Sequence, residues 1–405
     1  MQNKFALIGK TLKHSFSPTI HALLGDYSYD LVEVSEDGLK DFVFNSNYDG
    51  YNVTIPYKKA IMPYLDYIDQ RAKDIGAVNT VVVKDGKRYG YNTDFDGMAF
   101  MINRAGISVK DKTVLVLGSG GTSNTANAVL KSLGAKQIYT VSRGGQINYQ
   151  NCYDVDAQVI VNTTPVGMYP NNYQSPVDLE KFKNLTGVVD VVYNPIKTVL
   201  TFKANTLGLK NTNGLSMLVA QAKYASEKFL SKTMADSVIE KAITQLEKQT
   251  QNIVLIGMPG SGKSTVGKLV AKALGREFVD TDAVIKERYG DIPTIFAKHG
   301  EEYFRKVESE VIKEVGLSTG KVIATGGGVV KDKNNLFPLK QNSKIIYIDR
   351  AVDKLVLGGR PLSKDLQTVK ELYKQRKDLY HLFADQKINN DGDIEKTVEG
   401  VINSL

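Results

Sequence analysis

Two glycine-rich loops have the composition of phosphate-binding sites. One reads Gly257-Met-Pro-Gly-Ser-Gly-Lys-Ser-Thr, follows the apolar residues 253–256 and precedes a helical pattern over residues 266–274. In this strand–loop–helix context, Gly-x4-Gly-Lys-Ser is a P-loop, whose backbone N–H groups and helix N-terminus surround a polyphosphate. The lysine neutralises phosphate oxygens, and the serine hydroxyl ligates Mg²⁺. The loop therefore predicts ATP and Mg²⁺ binding by Gly257, Gly260, Gly262, Lys263, Ser264 and Thr265.

The second glycine-rich loop, Gly118-Ser-Gly-Gly-Thr-Ser, predicts a dinucleotide site. It follows the strand-like residues 113–117 and opens a helical run to Leu133. The next strand ends in Ser142-Arg143 without the acid that binds the ribose 2′-hydroxyl of NAD, and an arginine there accommodates the 2′-phosphate of NADP. We therefore predict NADP(H), with a surface role for Arg143 as the alternative. The predicted contacts are Gly118, Gly120, Gly121, Thr122, Ser142 and Arg143.

The composition is that of a soluble globular protein with more than one domain. Of 405 residues, 42% are apolar and 24% are charged, and no apolar run approaches membrane-spanning length. The first residues predict a β-strand rather than a signal peptide. The single cysteine, Cys152, excludes an intrachain disulfide and favours the cytoplasm. The net charge of +8 fits small anionic substrates, but no basic stripe predicts a nucleic-acid partner, and the oligomeric state stays open.

Short polar motifs follow one another through the first half of the chain. They are His-Ser-x-Ser-Pro at 14–18, Asn-Val-Thr-x-Pro-x-Lys at 52–58, Ala-Val-Asn-Thr at 77–80, Asn-Thr-Asp-x-x-Gly at 92–97, Asn-Thr-Thr-Pro-Val-Gly-Met at 162–168, Asp-Val-Val-Tyr-Asn-Pro at 190–195 and Met-Leu-Val-Ala-Gln-Ala at 217–222. Taken singly, Ser17 and Asp94 are suitable helix caps and Lys58 is a typical solvated lysine. In this order, the motifs resemble shikimate dehydrogenase along residues 1–248.

This resemblance implies the reversible reduction of 3-dehydroshikimate to shikimate by NADPH. Lys58 and Asp94 would form the catalytic pair, because the developing alkoxide needs a proton donor and a positive charge. Hydride transfer itself needs only orientation from the protein. The residues implied to hold the carboxylate and ring hydroxyls, with Tyr193 near the substrate, are Ser15, Ser17, Asn52, Thr54, Asn79, Tyr193 and Gln221. Those implied on the nicotinamide side are Asn162, Thr164, Met168 and Gly214.

Motifs downstream of the P-loop point to the acceptor of a phosphoryl group. Phe278-Val-Asp280-Thr-Asp282 is expected to end a strand, which would place both carboxylates on one face. Asp280 then suits water-mediated support of Mg²⁺ and Asp282 suits the acceptor hydroxyl; the alternative is a turn or helix cap. The later motifs are Gly-Glu-Glu-Tyr-Phe-Arg-Lys-Val-Glu at 300–308, Ala-Thr-Gly-Gly-Gly-Val at 324–329, Arg-Pro-Leu at 360–362 and Tyr-x-x-Arg-x-x-x-Tyr at 373–380.

This series resembles shikimate kinase over residues 251–405. The resemblance implies transfer of the ATP γ-phosphoryl group to the shikimate 3-hydroxyl, with Asp282 aligning or deprotonating that hydroxyl. Lys263 and, from a closing lid, Arg360 would contact the phosphates, and Glu308 would steady Arg305. The implied acceptor-binding residues are Arg305, Gly327, Gly328 and Arg376. The lid is short and has Lys354 near the position where the family commonly carries another arginine, so ATP affinity stays open.

The patterns predict an α/β chain with three parts. These are a substrate-binding α/β domain (1–95 with 215–248), a Rossmann NADP domain (96–214) and a P-loop, NMP-kinase-like α/β domain (251–405). Before the kinase part, strands are expected at residues 5–8, 31–34, 50–54, 80–83, 113–117, 137–141, 159–161 and 188–192. Residues 215–248 are expected to be helical, with part of them packed against the first domain and a short joint at residues 248–251.

Two alternative hypotheses compete with the prediction of a bifunctional dehydrogenase and kinase. One is a quinate/shikimate dehydrogenase with broader cofactor use, fused to a small-molecule kinase of other specificity. Arg143 in place of an acid argues against this dehydrogenase. The Arg305/Arg376 pair argues against the other kinase, because it favours an acceptor that carries a carboxylate. Another is a catalytically silent nucleotide-binding regulator, against which the complete set of lysines and acids argues. The histidines lack metal-ligand spacing and are interpreted as structural: His14, His21, His299 and His381.

Overall fold

The protein consists of two compact units, each built on parallel or mixed β-sheets. The computed structural model describes residues 3–12, 15–356 and 366–405. Unit 1 comprises Met1–Asn194 with Thr198–Leu246, and unit 2 comprises Pro195–Lys197 with Glu247–Leu405. Within the described ranges, no helix combines the length and the apolar character needed to cross a membrane.

The first sheet of unit 1 is mixed, and its strand order is β2-β1-β3-β5-β6-β4. Its strands are β1 (Lys4–Gly9), β2 (Ser28–Glu33), β3 (Gly50–Val53), β4 (Tyr67–Ile68), β5 (Thr80–Lys84) and β6 (Lys87–Tyr91). Strand β1 is parallel to β2 and β3, whereas β5 is antiparallel to β3. Because β1 and β3 are parallel neighbours, the polar segments that follow them emerge at the same edge of the sheet.

The second sheet of unit 1 is parallel throughout, with the order β11-β10-β9-β7-β8. Its strands are β7 (Thr113–Leu117), β8 (Gln137–Val141), β9 (Val159–Asn162), β10 (Gly187–Asp190) and β11 (Lys210–Thr212). In this doubly wound topology the strand order switches between β7 and β9, because β8 is added on one side of β7 and β9 on the other, and such sheets bind ligands at this switch point. Strand β10 ends before the predicted residue 192 because the Val192 N–H donates to the Asp190 side chain at 3.1 Å.

Helices cover both sheets of unit 1. They are α1 (Ser17–Leu24), α2 (Leu39–Asn45), α3 (Tyr57–Ala60), α4 (Gln70–Ile75), α5 (Asp94–Arg104), α6 (Gly121–Ser132), α7 (Val199–Thr206), α8 (Leu215–Leu230) and α9 (Ser237–Thr250), whose residues from Glu247 onward belong to unit 2. Apolar residues of α8 and α9 pack with Ile20 and Leu24 of α1, so the chain returns to the first sheet after completing the second. The predicted helical run is thus two helices, and Ser231 between them has a φ of 49°.

Unit 2 is built on a third sheet, parallel throughout, with the order β13-β14-β12-β15-β16. Its strands are β12 (Asn252–Ile256), β13 (Phe278–Asp280), β14 (Val322–Ala324), β15 (Ser343–Asp349) and β16 (Gln386–Asn389). Its helices are α10 (Lys263–Leu274), α11 (Thr281–Tyr289), α12 (Ile292–Val315), α13 (Leu336–Lys340), α14 (Leu366–Phe383) and α15 (Ile394–Asn403). The P-loop leaves the central strand β12, which is buried along its whole length.

Two local predictions for the second half need correction. Strand β13 ends at Asp280, and Asp282 lies in the first turn of α11, so the two carboxylates do not share a strand face. The physical reason is helix capping, because Asp280 accepts hydrogen bonds from the backbone N–H groups of Asp282 and Ala283. The expected joint at residues 248–251 is mostly helix, since α9 continues to Thr250 and β12 begins at Asn252.

Candidate active sites

A cavity of about 550 Å³ in unit 1 brings together the side chains predicted to bind substrate. They reach it from β3, from the segments after β1, β3, β6 and β10, from the residue before β5 and from the first turns of α8. The predicted residues that line the cavity are Ser15, Ser17, Asn52, Thr54, Lys58, Asn79, Asp94, Thr122, Tyr193, Gly214 and Gln221. Thr122 and Gly214 were predicted on the cofactor side, so the dinucleotide loop and the substrate cavity adjoin.

Lys58 and Asp94 form an ion pair in the cavity wall. The Lys58 ammonium donates to the Asp94 carboxylate at 2.6 Å, and the two side chains are only 27% and 13% exposed. Asp94 is the first residue of α5, where the helix N-terminus stabilises a negative charge. An ammonium has three donors. The pair can therefore keep the ammonium in place while a second N–H of Lys58 faces an oxygen in the cavity.

Asn52 and Asn79 lie in the same wall with their amide groups bonded to the protein. The Asn52 Nδ2 donates to the Asn79 carbonyl and to the Thr80 hydroxyl at 3.2 and 3.1 Å. The Asn79 Oδ1 accepts from the Thr93 backbone N–H at 2.7 Å. Because both hydrogens of the Asn52 amide are used, this residue acts in the structure as a brace between β3 and β5.

The sequence patterns did not identify Tyr29, which holds Asn52 through a side-chain hydrogen bond. Its hydroxyl donates to the Asn52 Oδ1 at 2.7 Å, and its ring stacks on the buried His21 ring with centroids 3.7 Å apart. Burial lowers the pKa of His21 to about 3, so this imidazole is neutral in the folded protein. No signal in the sequence distinguishes Tyr29 from other strand aromatics, because its role depends on a partner on another strand.

The dinucleotide loop leaves room for a ligand at the N-terminus of α6. Gly118 has a φ of 106°, and a Cβ there would lie 2.9 Å from the Thr163 hydroxyl, so a side chain would strain this turn. At Gly120 and Gly121, by contrast, a Cβ would meet nothing within 4 Å. This open space adjoins the N-terminus of α6, which is a favourable position for a phosphate. Ser142 and the exposed Arg143 follow β8.

A second missed residue, Asp190, organises the predicted nicotinamide side. Its buried carboxylate accepts from the Asn162 amide at 2.9 Å and from the Thr198 hydroxyl at 2.7 Å. Asn162 in turn accepts from the backbone N–H and the hydroxyl of Thr164. Burial raises the pKa of Asp190 to about 6, while the surrounding donors favour the carboxylate. Asn162 and Thr164 therefore shape the segment after β9, whereas Met168 further along it is 44% exposed.

The P-loop of unit 2 is closed around its own lysine. The Lys263 ammonium donates to the carbonyls of Gly257 and Met258, both at 2.9 Å. Gly260 has a φ of 80°, and a Cβ there would lie 2.4 Å from the Val356 carbonyl oxygen, so only glycine fits. Helix α10 begins directly after this loop, which presents its first N–H groups to the space enclosed by the loop.

Ser264 and Asp280 provide adjacent oxygen ligands for a hard cation. The Ser264 hydroxyl donates to the Asp280 Oδ2 at 2.6 Å, while the Asp280 Oδ1 caps α11. The described residues contain no cluster of three or more histidine, cysteine or carboxylate groups suited to a metal. This donor set fits Mg²⁺, which keeps several waters and uses few protein ligands beside substrate phosphates.

Arg305 and Asp282 lie on one side of the three-glycine segment that follows β14. Arg305 donates to Glu308 at 2.7 Å and to Glu301 at 3.0 Å. Burial raises the pKa of Glu308, although the adjacent guanidinium favours the carboxylate. A Cβ on Gly326 would lie 2.6 Å from the Asp282 Oδ1, so this glycine allows the close approach of the carboxylate.

Arg376 approaches the same glycines from α14 and keeps an edge of its guanidinium unused. The side chain is 2% exposed, and its Nη1 donates to the Gly327 carbonyl at 3.0 Å. Its Nε and Nη2 are buried and have no hydrogen-bond partner in the part of the chain that the structure describes. These two nitrogens form the side-on edge of the fork, whose parallel N–H groups match a carboxylate. A buried carboxylate ligand would satisfy both donors.

The remaining predicted residues are placed as follows. Arg360 and His14 lie outside the described residues. Lys354 ends a short 3-10 helix and donates to the Asp391 carbonyl at 3.2 Å. His299 and His381 are exposed beside tyrosine rings at 4.7 and 5.5 Å.

Together the two sites define a nucleotide-dependent enzyme with an oxidoreductase site in unit 1 and a phosphotransferase site in unit 2. Residues 7–81 match the family model described as shikimate dehydrogenase substrate binding domain. Residues 259–405 match the family model of shikimate kinase.

Relatives of known identity cover unit 1. The shikimate dehydrogenase (NADP(+)) of Clostridium beijerinckii is 37% identical over 243 residues, which are 55% of this chain and 90% of the relative. A crystal structure of shikimate 5-dehydrogenase from Thermus thermophilus in complex with NADP(H) and shikimate is 29% identical, with a TM-score of 0.55 and coverage of 60% and 99%. Quinate dehydrogenase from Corynebacterium glutamicum in complex with NAD is 26% identical, with a TM-score of 0.56 and the same coverage.

The chain therefore belongs to the shikimate dehydrogenase family and carries a shikimate kinase domain after it. It is a bifunctional enzyme of the shikimate pathway.

The neutral state of His21 generates a prediction about acid stability. Its pKa is about 3 in the folded chain and about 6.5 when unfolded, so the unfolded chain binds a proton first as the pH falls. The contribution of His21 to the free energy of unfolding is therefore complete above pH 6.5 and is lost as pH falls towards 3. Over that window the loss is about 1.4 kcal/mol per pH unit. In urea unfolding followed by circular dichroism, His21→Gln should remove this part of the pH dependence.

The exposed His299 provides the matched control for that experiment. His299→Gln should leave the pH dependence of unfolding unchanged. If His21→Gln and the wild-type chain lose stability in parallel between pH 6.5 and 4.5, burial of the neutral imidazole is not responsible.

Proposed function

We propose that unit 1 reduces 3-dehydroshikimate to shikimate with NADPH and that unit 2 transfers the ATP γ-phosphoryl group to the shikimate 3-hydroxyl, with Mg²⁺. The observation that carries the proposal is the pairing of complementary chemistries in one chain. The Lys58–Asp94 pair adjoins a dinucleotide loop. Arg376, whose Nε and Nη2 have no partner among the described residues, lies in the unit that carries the P-loop. The alcohol that the first chemistry makes is the acceptor that the second requires.

In the dehydrogenase reaction, Lys58 acts as the general acid. NADPH, when bound, supplies a hydride to the carbonyl carbon. Lys58 donates a proton to the carbonyl oxygen as the alkoxide develops, and Asp94 holds the ammonium at 2.6 Å in the correct position. The proposed substrate contacts are the hydroxyls and amides that line the same cavity, among them Ser15, Ser17, Thr54, Tyr193 and Gln221.

The proposed cofactor site follows the carboxyl ends of β7, β8 and β9. Gly120 and Gly121 would hold the pyrophosphate of the bound cofactor, because the space beside them is open, and Arg143 would bind the 2′-phosphate. Gly214 is proposed on the nicotinamide side because it lines the cavity together with Thr122 of the dinucleotide loop. A Cβ there would lie 1.9 Å from the Val191 carbonyl oxygen, so the packing of the cavity wall requires glycine. Asn162 and Thr164 contribute by shaping the segment that leads to Met168.

In the kinase reaction, the chain neutralises phosphate charge and orients the acceptor. ATP and Mg²⁺, when bound, supply the phosphoryl group and part of its charge neutralisation. Lys263 exchanges its carbonyl partners for phosphate oxygens, and Ser264 with Asp280 holds the cation. Asp282 accepts the proton of the attacking hydroxyl. Arg360 is proposed on the phosphates but lies outside the described residues.

Two arginines are proposed to hold the carboxylate of the acceptor. Arg376 offers its open Nε–Nη2 edge, and Arg305 lies near the same segment, because a Cβ on Gly328 would come 2.2 Å from its Nη1. Glu308 fixes Arg305 at 2.7 Å. Gly327 and Gly328 are proposed to contact the ring hydroxyls through their backbone, and their lack of side chains lets Pro259 and Arg305 pack close to this segment.

The proposal includes the domain limits and the cellular setting. The substrate-binding domain is 1–95 with 215–248, the NADP domain is 96–214 and the kinase domain is 251–405. The partners are small anionic metabolites, and the single buried cysteine favours the reducing cytoplasm.

A coupled assay of the purified chain tests the proposed function. Addition of 3-dehydroshikimate should consume NADPH, and later addition of Mg-ATP should release ADP. Parallel reactions with quinate and NAD test the alternative dehydrogenase. Turnover with quinate and NAD but not with shikimate and NADP would replace the proposal, and no turnover in any reaction would leave a nucleotide-binding regulator.

Lys58→Ala should reduce NADPH oxidation at least about a hundredfold, because a positioned proton-transfer group contributes roughly 10²–10⁴-fold. Steady-state rates with 3-dehydroshikimate measure this effect. The kinase rate of the same protein should not change, and Lys59→Ala, which removes the exposed neighbouring charge, should retain the dehydrogenase rate. Near-normal NADPH turnover in Lys58→Ala would exclude the assigned role.

Arg143→Ala should lower the preference for NADPH over NADH by about ten- to a hundredfold, the effect of losing a charged hydrogen bond. The ratio of kcat/KM for the two cofactors measures the preference. Lys131→Ala removes an exposed cation from the far end of α6 and should leave the ratio unchanged. Equal ratios in all three proteins would place the 2′-phosphate elsewhere.

Arg305→Ala should abolish measurable shikimate phosphorylation at ordinary substrate concentrations, because it removes one cation of the acceptor site and leaves the buried Glu308 uncompensated. Initial rates of ADP release measure it, and the dehydrogenase rate reports intact protein. Arg288→Ala breaks an exposed arginine–glutamate pair in the same unit and should be neutral. Wild-type kinetics in Arg305→Ala would refute the acceptor assignment.

A further inference from the structure

Tyr380 and Arg376 of unit 2 donate hydrogen bonds to the same acceptor. Its buried hydroxyl donates to the Gly327 carbonyl at 2.5 Å, and the Arg376 Nη1 donates to the same oxygen at 3.0 Å. A carbonyl oxygen has two lone pairs, so this one is fully used. Tyr380 and Arg376 lie four residues apart, one turn of α14, and therefore face the same side of the helix.

Gly327 also packs against the P-loop. A Cβ on Gly327 would lie 2.6 Å from the Pro259 Cδ, which means that the glycine backbone already touches this proline. The Tyr380 hydroxyl is also 3.6 Å from the Met258 sulfur. Gly327 is thus held between the P-loop and α14, and the tyrosine hydroxyl supplies the bond that fixes its peptide plane from the helix side.

The orientation of the Arg376 fork depends on that carbonyl. Of the guanidinium nitrogens, Nη1 is anchored, whereas Nε and Nη2 have no partner within the described ranges 3–12, 15–356 and 366–405. A planar fork binds a carboxylate well only when both N–H groups point along parallel lines at its oxygens. A small rotation of the Gly327 peptide would shift Nη1 and, with it, the whole guanidinium plane. The Nε–H and Nη2–H groups would then no longer point along parallel lines at a carboxylate.

We propose that Tyr380 is a positioning residue for the acceptor, because its hydroxyl fixes the Gly327 carbonyl and thereby aims the open edge of Arg376 at the substrate carboxylate. Tyr380 touches neither substrate in this arrangement; it acts through Arg376. The inference rests on the proposed kinase function and deepens it by naming the residue that organises carboxylate recognition.

Tyr380→Phe tests the inference because it removes the hydroxyl and keeps the ring. The KM for shikimate should rise about tenfold, the effect of about one hydrogen bond, while kcat and the KM for ATP change less than about threefold. Tyr347→Phe is the matched control. Its ring stacks on Tyr380 at 5.0 Å and is equally buried, but its hydroxyl donates to Asp349 instead of the glycine segment. This variant should keep the wild-type KM for shikimate.

A double-mutant cycle with Arg376→Lys separates positioning from general loosening of the unit. Lysine keeps the charge but lacks the fork, so Tyr380→Phe should then change kcat/KM for shikimate by less than about twofold. A further tenfold loss in that background, or an equal effect of Tyr347→Phe, would overturn the inference. Absence of shikimate phosphorylation by the wild-type chain would instead refute the proposed function, since the inference presupposes that activity.

Discussion

Both units depend on bringing backbone N–H groups to the carboxyl end of a central parallel strand. In unit 1 the loop after β7 opens onto α6, and in unit 2 the loop after β12 opens onto α10. A helix N-terminus stabilises phosphate only when the chain turns tightly enough to expose those N–H groups, which requires glycine at strained or crowded positions. The catalytic side chains then follow from topology, because neighbouring parallel strands end at the same edge.

The polar residues of the two sites fall into two groups according to their spare hydrogen-bonding capacity. Asn52 and Asp190 are buried, and their partners are other protein groups, so they hold the walls in place. Lys58 and Arg376 are each anchored by one bond; Lys58 lines the cavity with further donors, and two buried nitrogens of Arg376 have no partner among the described residues. A buried donor without a partner is costly in the free protein. The cost is offset when a ligand arrives, which makes such groups suitable for recognition.

Local patterns allowed the main elements to be predicted, but residues acting through distant partners were not found. The P-loop, the dinucleotide loop and most strands of unit 1 follow from glycine spacing and apolar runs. Asp282 was placed on a strand, whereas capping by Asp280 starts α11 one residue earlier. Tyr29 and Tyr380 were not assigned roles, because each bonds a residue remote in sequence. Such pairs arise from packing, which spacing alone does not encode.

Under the proposed function, the two sites would recognise the same kind of acid by different means. Of the described residues that line the cavity in unit 1, Lys58 is the only cation, and it is paired with Asp94; the other polar groups are hydroxyls and amides. The proposed acceptor site of unit 2 has two arginines; Arg305 is paired with Glu301 and Glu308, whereas the Nε and Nη2 of Arg376 have no partner among the described residues. Charge-assisted bonds are about twice as strong as neutral ones. Under the proposed function, a carboxylic acid should therefore be held more loosely in the cavity of unit 1 than beside the unpartnered nitrogens of Arg376.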